Sequence, residues 1–300
     1  MRALVTGAGG FVGRHLVAHL VSCGDEVIET DRATGGPDVT DVGAMAALVG
    51  EVAPEVVFHL AGQADVAGSW RDPVGTLRAN AEGTLATLAA CAGAGVGRVV
   101  VVTSAEVYGK VDAAEMPIGE DRALDPVSPY AASKAAAEMI CVAWANQGLG
   151  VVRARAFNHL GPGQSEAFVA PAIAARLVRA RRDGVGHISV GNLEARRDFT
   201  DVRDVVRAYR MLAVGGVSGE AYNVCSGRHH SIAEVVESLL ALTGHDVELV
   251  TDPALARPSD VPLLVGDPAK IRTQCGWEPE IDLSTTLADV VAAIVEAENR

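Results

Sequence analysis

The chain has 300 residues, a formal net charge of −13 at pH 7 and a hydrophobic content of 49%. A net negative charge of this size argues against nucleic acid as a partner, and no apolar run reaches the roughly 18 to 20 residues that would span a membrane. The five cysteines are odd in number and widely spaced. That pattern argues against a disulfide framework or a zinc site and favours a reducing cytoplasm, so we expect a cytoplasmic protein without a metal centre.

A glycine-rich turn follows the first predicted strand, which covers residues 2–6. Residues 6–13 read Thr-Gly-Ala-Gly-Gly-Phe-Val-Gly, and an amphipathic helix pattern begins directly after them. Glycines at this place allow a tight turn and let the backbone approach a pyrophosphate, which then lies at the helix N-terminus. An ordinary turn between a strand and a helix is the alternative. The order of strand, glycines and helix favours a dinucleotide site, with predicted contacts from Gly7, Gly10, Phe11 and Val12.

The second predicted strand, residues 26–30, ends at an acidic residue. Asp31 can accept hydrogen bonds from both hydroxyl groups of an adenosine ribose, which favours NAD(H). Arg32 follows at once and could instead bind a 2′-phosphate, so NADP(H) stays open. Asp38 and Val39 fall where a loop could contact the adenine.

Small residues follow the third predicted strand, residues 55–59. The segment Leu-Ala-Gly-Gln-Ala at 60–64 lets the backbone lie against a flat ligand. His59 lies inside the apolar run, which is typical of a structural histidine rather than of a catalytic base. A long helix is predicted over residues 74–92, with Asn80 inside it.

The fourth predicted strand, residues 99–102, is followed by the segment that contains the candidate catalytic residues. Ser104 and Glu106 follow the strand, and Tyr130 and Lys134 lie four residues apart on a predicted helix over 128–147, so they share one helical face. A phenol could donate or accept a proton, a nearby ammonium would lower its pKa, and a second hydroxyl could hold the reacting oxygen. The alternative is a surface helix whose Tyr and Lys have no joint role.

The fifth predicted strand covers residues 151–156 and is followed by Phe157 and Asn158. The first 160 residues thus alternate between strand and helix, which predicts an α/β fold with a parallel sheet covered on both faces. Ligands of such sheets bind outside the carboxyl ends of the strands. Five independent positions fall at those ends: Gly7, Asp31, Ala61, Ser104 and Asn158.

The second half of the chain alternates less regularly. Helices are predicted over 168–182, 201–213, 231–242 and 283–297, and strands over 221–224 and 247–250. We predict a dinucleotide-binding domain over 1–160, joined by returning segments at about 186–225, and a smaller lobe formed mostly by 161–300 that covers the ligand edge. Arg196 and Arg257 are candidates for binding phosphate, since the planar guanidinium matches phosphate oxygens. Surface ion pairs with nearby acidic residues are the alternative for both arginines.

Three motifs together resemble a known family. They are Thr-Gly-x-x-Gly-x-x-Gly at 6–13, Ser-x-Glu-x-Tyr-Gly at 104–109 and Tyr-x-x-x-Lys at 130–134. They resemble the extended short-chain dehydrogenase/reductases that act on nucleotide sugars. The segments at 157–164, 190–204, 222–227 and 257–261 are similar to the branch that handles GDP-mannose derivatives.

The resemblance implies a Rossmann-type doubly wound sheet, a smaller C-terminal α/β substrate lobe, a GDP-sugar substrate and a homodimer formed through the helices at 74–92 and 128–147. It implies NAD(P)-dependent reduction of GDP-4-keto-6-deoxy-D-mannose at C4. The alternatives are 4,6-dehydration of GDP-mannose and epimerisation of a nucleotide sugar. Glu106 matches the base that removes the C5 proton in dehydratases, whereas Ala105 departs from the Asp or Ser that usually helps water leave from C6.

The predicted site residues follow from these motifs. The catalytic set is Ser104, Tyr130, Lys134 and Glu106. The cofactor set is Gly7, Gly10, Phe11, Val12, Asp31, Arg32, Asp38, Val39, Leu60, Ala61, Gly62, Asn80, Tyr130, Lys134 and Phe157. The substrate set is Gln63, Ser104, Glu106, Asn158, Val190, Asn192, Arg196, Arg257 and Asp260.

Overall fold

Thirteen strands and eleven α-helices are present in the computed structural model, which describes residues 1–255 and 261–299. In chain order the strands are β1 (Arg2–Thr6), β2 (Glu26–Thr30), β3 (Val56–His59), β4 (Arg98–Ser104), β5 (Val151–Ala156), β6 (Asn158–Leu160), β7 (His187–Val190), β8 (Arg196–Arg197), β9 (Phe199–Asp201), β10 (Ala221–Val224), β11 (His230–Ser231), β12 (Glu248–Thr251) and β13 (Leu263–Leu264). The helices are α1 (Phe11–Ser22), α2 (Val42–Val52), α3 (Val66–Arg71), α4 (Pro73–Leu77), α5 (Gly83–Gly93), α6 (Pro129–Asn146), α7 (Val169–Asp183), α8 (Val202–Gly215), α9 (Ile232–Thr243), α10 (Ala269–Cys275) and α11 (Leu283–Glu298).

Six parallel strands form the central sheet, in the order β10-β5-β4-β3-β1-β2. The chain moves outwards from β1 in one direction to β2 and in the other to β3, so the winding reverses between β1 and β3. A reversal of this kind opens a crevice at the carboxyl ends of the strands, where such sheets bind their ligands. The predicted doubly wound parallel sheet is confirmed.

Hydrophobic side chains alternate between the two faces of the sheet, as the two-residue period of a strand requires. Ala3 and Val5 of β1 face one core with helices α1 and α8, whereas Leu4 faces the opposite core with α2, α5 and α6. Both faces are therefore covered by helices, which leaves the carboxyl edge of the sheet as the place for a ligand.

The predicted helix over 74–92 is interrupted by one turn of a different kind. Helices α4 and α5 are continuous through a π-helical turn at Arg78–Glu82. The extra residue in such a turn redirects one side chain, and π-turns are frequent at functional sites. Here the turn carries Asn80, which is almost completely buried.

The second half of the chain forms a separate hydrophobic core between α7, α9 and α11. The four long helices predicted there begin and end within two residues of the observed bounds. Strand β10 returns to the central sheet and pairs with β5. Short strands form small additional sheets, namely β11-β8-β13, β12-β7 and β6-β9, and only β12 of these was predicted. Strands of two to four residues are too short for an alternating pattern to be recognised.

None of the helices within the described ranges is long and apolar enough to cross a membrane.

Candidate active site

The turn after β1 has no space for side chains. Gly7 has φ +73°, and a Cβ placed there would lie 2.7 Å from the backbone nitrogen of Ala61, which follows β3. A Cβ at Gly13 would lie 2.2 Å from the carbonyl oxygen of Gly7. Glycine is therefore required at both positions, by backbone conformation and by close approach. The turn after β1 and the segment after β3 therefore lie against each other at the carboxyl edge of the sheet.

The N-terminus of α1 is open to an anion. Its N-cap is Gly10, and in the described structure no side chain caps the helix and no acidic residue lies in its first turn. The first N–H groups of a helix have no intrahelical partner, and they carry the positive end of the helix dipole. These features fit a dinucleotide pyrophosphate beside Phe11 and Val12.

Asp31 is held in one orientation at the end of β2. Its Oδ1 accepts a hydrogen bond from the Ala33 nitrogen at 2.8 Å and its Oδ2 accepts one from the Gly9 nitrogen at 3.1 Å. The carboxylate thus lies next to the glycine turn, which is where an acidic residue can bind the ribose of a dinucleotide. The neighbouring Arg32 is exposed and forms a loose ion pair with Asp38 at 3.3 Å.

Asn80 links the segment after β3 to α6. Its Oδ1 accepts a hydrogen bond from the Gln63 nitrogen at 2.9 Å, and its Nδ2 donates to Ser133 Oγ at 2.8 Å. A Cβ at Gly62 would lie 2.4 Å from Asn80 Oδ1 and 3.8 Å from Lys134 Nζ. The predicted cofactor residues at 60–62 therefore lie directly against the helix that carries Tyr130 and Lys134. Val39, which was predicted to contact the adenine, lies close to Gly83 at the start of α5.

Ser104, Tyr130 and Lys134 lie together at the carboxyl end of β4, and all three are buried. The side chain of Ser104 lies close enough to Tyr130 to lower the pKa of the phenol, and Ser104 Oγ accepts a hydrogen bond from the Glu106 nitrogen at 3.2 Å. Lys134 Nζ donates to the carbonyl oxygen of Val102, the strand residue two before Ser104, at 3.0 Å. A phenol, a hydroxyl and an amine thus surround one point of the strand edge.

Burial controls the protonation of this group. It raises the pKa of Tyr130 to about 12, an effect that the nearby Ser104 hydroxyl opposes and the charge of Glu106 increases. Burial also lowers the pKa of Lys134 to about 8. We predicted that Lys134 would lower the pKa of Tyr130, but in this structure the Tyr130 pKa is raised, because desolvation outweighs the favourable interactions.

His59 is a buried neutral histidine beneath the site. Its Nδ1 lies 2.9 Å from Thr6 Oγ1, and in the part of the chain that the structure describes its Nε2 has no hydrogen-bond partner. Burial, followed by the charge of Lys134, lowers its pKa to about 3. A side chain that stays neutral inside the sheet agrees with the structural role inferred from the sequence.

The predicted substrate residues differ in their placement. Gln63 Nε2 donates to the Asp65 carbonyl at 2.6 Å, while its buried Oε1 has no partner among the described residues. Asn158 is half-buried at the start of β6, next to the cofactor edge. Phe157, which was predicted in the cofactor set, is buried in a cluster with Tyr108 and Ile118.

The residues predicted to bind substrate in the second lobe are less suited to that role. Val190 is completely buried in the lobe core, which argues against a direct substrate contact. Asn192 is exposed, and its Oδ1 accepts a hydrogen bond from the Glu194 nitrogen. Arg196 forms an ion pair with Glu234 at 3.0 Å and donates to His229 Nδ1 at 2.9 Å. Arg196 is therefore in the ion pair that the sequence left as the alternative to phosphate binding.

Two predicted substrate residues, Arg257 and Asp260, lie outside the described residues.

Comparison with known proteins gives consistent matches across the whole chain. A family model described as GDP-mannose 4,6 dehydratase matches residues 33–290. The chain is 38% identical to the GDP-6-deoxy-D-mannose reductase of Pseudomonas aeruginosa, over 97% of this chain and 96% of the relative.

Solved structures show the same similarity. The structure of RMD from Pseudomonas aeruginosa complexed with NADPH superimposes with a TM-score of 0.90 at 34% identity, covering 99% of this chain and 100% of that one. The Thermus thermophilus UDP-glucose 4-epimerase in complex with NAD gives a TM-score of 0.89 at 30% identity, with the same coverage. The architecture is therefore shared over the full length of both neighbours.

Proposed function

Because the chain belongs to the GDP-mannose 4,6-dehydratase family, we propose that it is an NAD(P)H-dependent reductase of GDP-4-keto-6-deoxy-D-mannose, acting at C4. It is an oxidoreductase of the short-chain dehydrogenase/reductase type. The observation that carries the proposal is the buried cluster of Ser104, Tyr130 and Lys134 at the carboxyl end of β4, with Tyr130 and Lys134 one turn apart on α6. The similarity to a reductase over nearly the whole chain supports the choice of reaction.

The residues present fit a nicotinamide dinucleotide. The uncapped N-terminus of α1 suits its pyrophosphate, and Asp31 suits a ribose. A bound reduced nicotinamide supplies the hydride. We propose that Asn80 holds the segment at 60–63 in place against it, since both polar atoms of the Asn80 amide are engaged by Gln63 and Ser133.

Tyr130 is the proposed general acid. With a pKa of about 12 the phenol is neutral at physiological pH, so its proton is available for the oxygen at C4. Ser104 Oγ accepts a hydrogen bond from the Glu106 nitrogen, and its O–H is the proposed donor to the same substrate oxygen. Lys134, with a pKa of about 8, is mostly charged at pH 7 and stabilises the negative charge that develops on the phenol.

Turnover with the 4-keto sugar tests this proposal. Purified protein should oxidise NADH or NADPH when GDP-4-keto-6-deoxy-D-mannose is added, and the absence of oxidation with either cofactor would reject the reductase. Tyr130→Phe should lower turnover by about 10² to 10⁴-fold, the usual contribution of general acid catalysis. Its cofactor affinity should stay within about twofold of wild type, because the substitution removes only one hydroxyl.

Dehydration of GDP-mannose is the second candidate, and one observation favours it. Glu106 is half-buried and close enough to Tyr130 for its charge to raise the phenol pKa. A carboxylate at this place could remove the C5 proton. Formation of a 4-keto sugar from GDP-mannose without added reduced cofactor would establish the dehydratase. A nucleotide sugar that returns with inverted C4 and no net redox change would establish an epimerase.

We propose NAD(H) as the preferred cofactor, on the orientation of Asp31. The carboxylate is fixed by two backbone N–H groups, and a negative charge there opposes a 2′-phosphate. The Pseudomonas structure was obtained with NADPH. NADP(H) is therefore the alternative cofactor, and the exposed Arg32 is the residue available to bind its 2′-phosphate.

A homodimer through α4, α5 and α6 completes the proposal. Several large apolar side chains on these helices are at least 45% exposed: Val74, Leu77, Leu85 and Met139. Met139→Glu should convert a dimer to a monomer in size-exclusion chromatography with light scattering, and a monomeric wild type would reject it. All five cysteines are free thiols, which supports a reducing cytoplasm as the compartment.

A further inference from the structure

Helix α6 presents a third titratable residue on the face that carries Tyr130 and Lys134. Glu138 follows Lys134 by four residues, so the three side chains form one row along the helix. Glu138 is completely buried. Its carboxylate accepts hydrogen bonds from Thr103 Oγ1 at 2.9 Å, from Arg153 Nη1 at 3.1 Å, and from Arg155 Nε and Nη2 at 2.8 and 2.7 Å. Helix α6 is thus fixed to strands β4 and β5 directly below the site.

The guanidinium of Arg155 also contacts the turn that follows Ser104. Arg155 Nη1 donates to the hydroxyl oxygen of Tyr108 at 2.8 Å, and the guanidinium carbon lies 5.0 Å from the centre of the Tyr108 ring. Tyr108 in turn donates to Asn223 Oδ1 on β10 at 2.7 Å. Tyr108 is the last residue of the 3₁₀ turn Ala105–Tyr108, which begins directly after Ser104. One side chain therefore contacts both elements that carry the proposed catalytic groups.

We infer that Arg155 and Tyr108 are positioning residues, which with Glu138 set the distance between Ser104 and Tyr130. This inference rests on the proposed function, in which these two hydroxyl groups act on one substrate oxygen. Arg155 and Tyr108 are almost completely buried, and their hydrogen bonds among the described residues go to each other and to other groups of the protein. They act through the turn and through α6.

The chemistry of the network suits this role. Hydrogen bonds to charged groups are strong in a buried environment, and the planar fork of Arg155 fixes the carboxylate by two parallel bonds. A buried ion pair is often no more stabilising than hydrophobic residues of the same volume, so stability alone gives little reason for it. Precise placement of the catalytic groups is a better reason for the network, because a displacement of about 1 Å at a catalytic group can lower the rate by about 10²-fold.

Tyr108→Phe is the decisive variant, and Tyr222→Phe is its matched control. Both tyrosines are fully buried and each hydroxyl makes two hydrogen bonds, but those of Tyr222 go to Gln274 and to the Val217 nitrogen, away from Ser104. Tyr108→Phe should lower kcat by tenfold or more with the KM values within about twofold. The basic limb of its pH–rate profile should move to higher pH, because a displaced Ser104 hydroxyl no longer lowers the Tyr130 pKa.

Tyr222→Phe should show a similar loss of thermal stability but keep kcat within twofold and leave the pH profile unchanged. Arg155→Lys should lower kcat at least as much as Tyr108→Phe, and the double variant should add little, because both act in one network. If Tyr108→Phe loses stability as the control does while its kcat and pH profile stay like wild type, the network is only structural and the inference is wrong.

Hydrogen–deuterium exchange provides a measurement that needs no substrate. In Tyr108→Phe the amides of residues 104–109 and of the first turn of α6 should exchange at least tenfold faster than in wild type, and in Tyr222→Phe they should not. Unchanged protection of these amides would overturn the inference. A wild type without activity on the 4-keto sugar would reject the proposed function instead, and the exchange experiment would still decide the role of the network.

Discussion

Lys134→Met should make the cofactor-free protein more stable and the enzyme nearly inactive. Burial lowers the pKa of Lys134 from 10.5 to about 8, so below pH 8 the folded state carries a poorly solvated ammonium at a cost of about 3 kcal/mol. Methionine keeps the apolar stem and removes the charge. It also removes the hydrogen bond from Nζ to Val102, worth about 1 kcal/mol. The net gain in the free energy of unfolding at pH 7 is about 2 kcal/mol.

The stability gain of Lys134→Met should depend on pH, because it comes from the charge on Lys134. Between pH 8 and 10.5 the unfolded chain still binds the proton that the folded protein has released, so wild-type stability rises by up to about 1.4 kcal/mol per pH unit. Above pH 10.5 the amine is neutral in both states and the cost disappears. The advantage of Lys134→Met should therefore be full below pH 8, disappear between about pH 9 and 10, and become a deficit of about 1 kcal/mol above pH 10.5, where only the lost hydrogen bond remains.

Urea unfolding of the cofactor-free proteins at pH 7, 8.5 and 10 measures this difference. Lys110→Met is the control, because Lys110 is exposed and its substitution should change stability by less than about 0.5 kcal/mol. Turnover of Lys134→Met should fall by about 10² to 10⁴-fold. A variant less stable than wild type at pH 7, or an advantage that does not change with pH, would refute the reasoning.

Two further substitutions test the cofactor edge and the interior. Asp31→Ala should raise the ratio of kcat/KM for NADPH to kcat/KM for NADH by tenfold or more. The reason is that a carboxylate and a phosphate about 4 Å apart repel by roughly 1 to 4 kcal/mol. An unchanged ratio would show that Asp31 does not determine the choice of cofactor. His59→Gln should flatten the acid limb of the stability curve. The unfolded state protonates His59 near pH 6.5 and the folded state only near pH 3, so wild type loses up to about 5 kcal/mol as pH falls through this window. Urea unfolding at pH 7, 5 and 4 measures this difference. If the urea midpoint falls by the same amount with pH in wild type and in His59→Gln, His59 is not the cause of the acid destabilisation.

The residues that could be predicted from the sequence are those whose position follows from local geometry. Ser104 lies at a strand end because an apolar run precedes it, and Tyr130 and Lys134 share a face because they are four residues apart on a helix. The glycine turn was recognisable because Gly7 and Gly13 lie at positions where no side chain fits. In each case a short segment contains both the residue and the reason for its place.

The network below the site could not be predicted in this way. Tyr108 and Asn223 are 115 residues apart, and no periodicity links a turn to the last strand of the sheet. Glu138 gave one usable signal, since it continues the spacing of Tyr130 and Lys134, but its arginine partners lie on another element. Helix α2 was missed although Asp41 caps it by accepting a hydrogen bond from the Ala44 nitrogen, which is a local signal of a helix start. Long-range hydrogen bonds depend on the fold being known first.

The packing around the turn after Ser104 also bears on the choice between reduction and dehydration. Reduction needs one proton, which Tyr130 can supply, whereas dehydration needs a base for C5 and an acid for the oxygen leaving C6. Ala105 is 1% exposed and lies in an apolar cluster with Val107, Ile118 and Phe157. A carboxylate at position 105 would be desolvated there without a partner, at a cost of several kcal/mol. The turn therefore offers Glu106 as its one carboxylate, which could serve as the C5 base, whereas Tyr130 supplies the single proton that reduction needs.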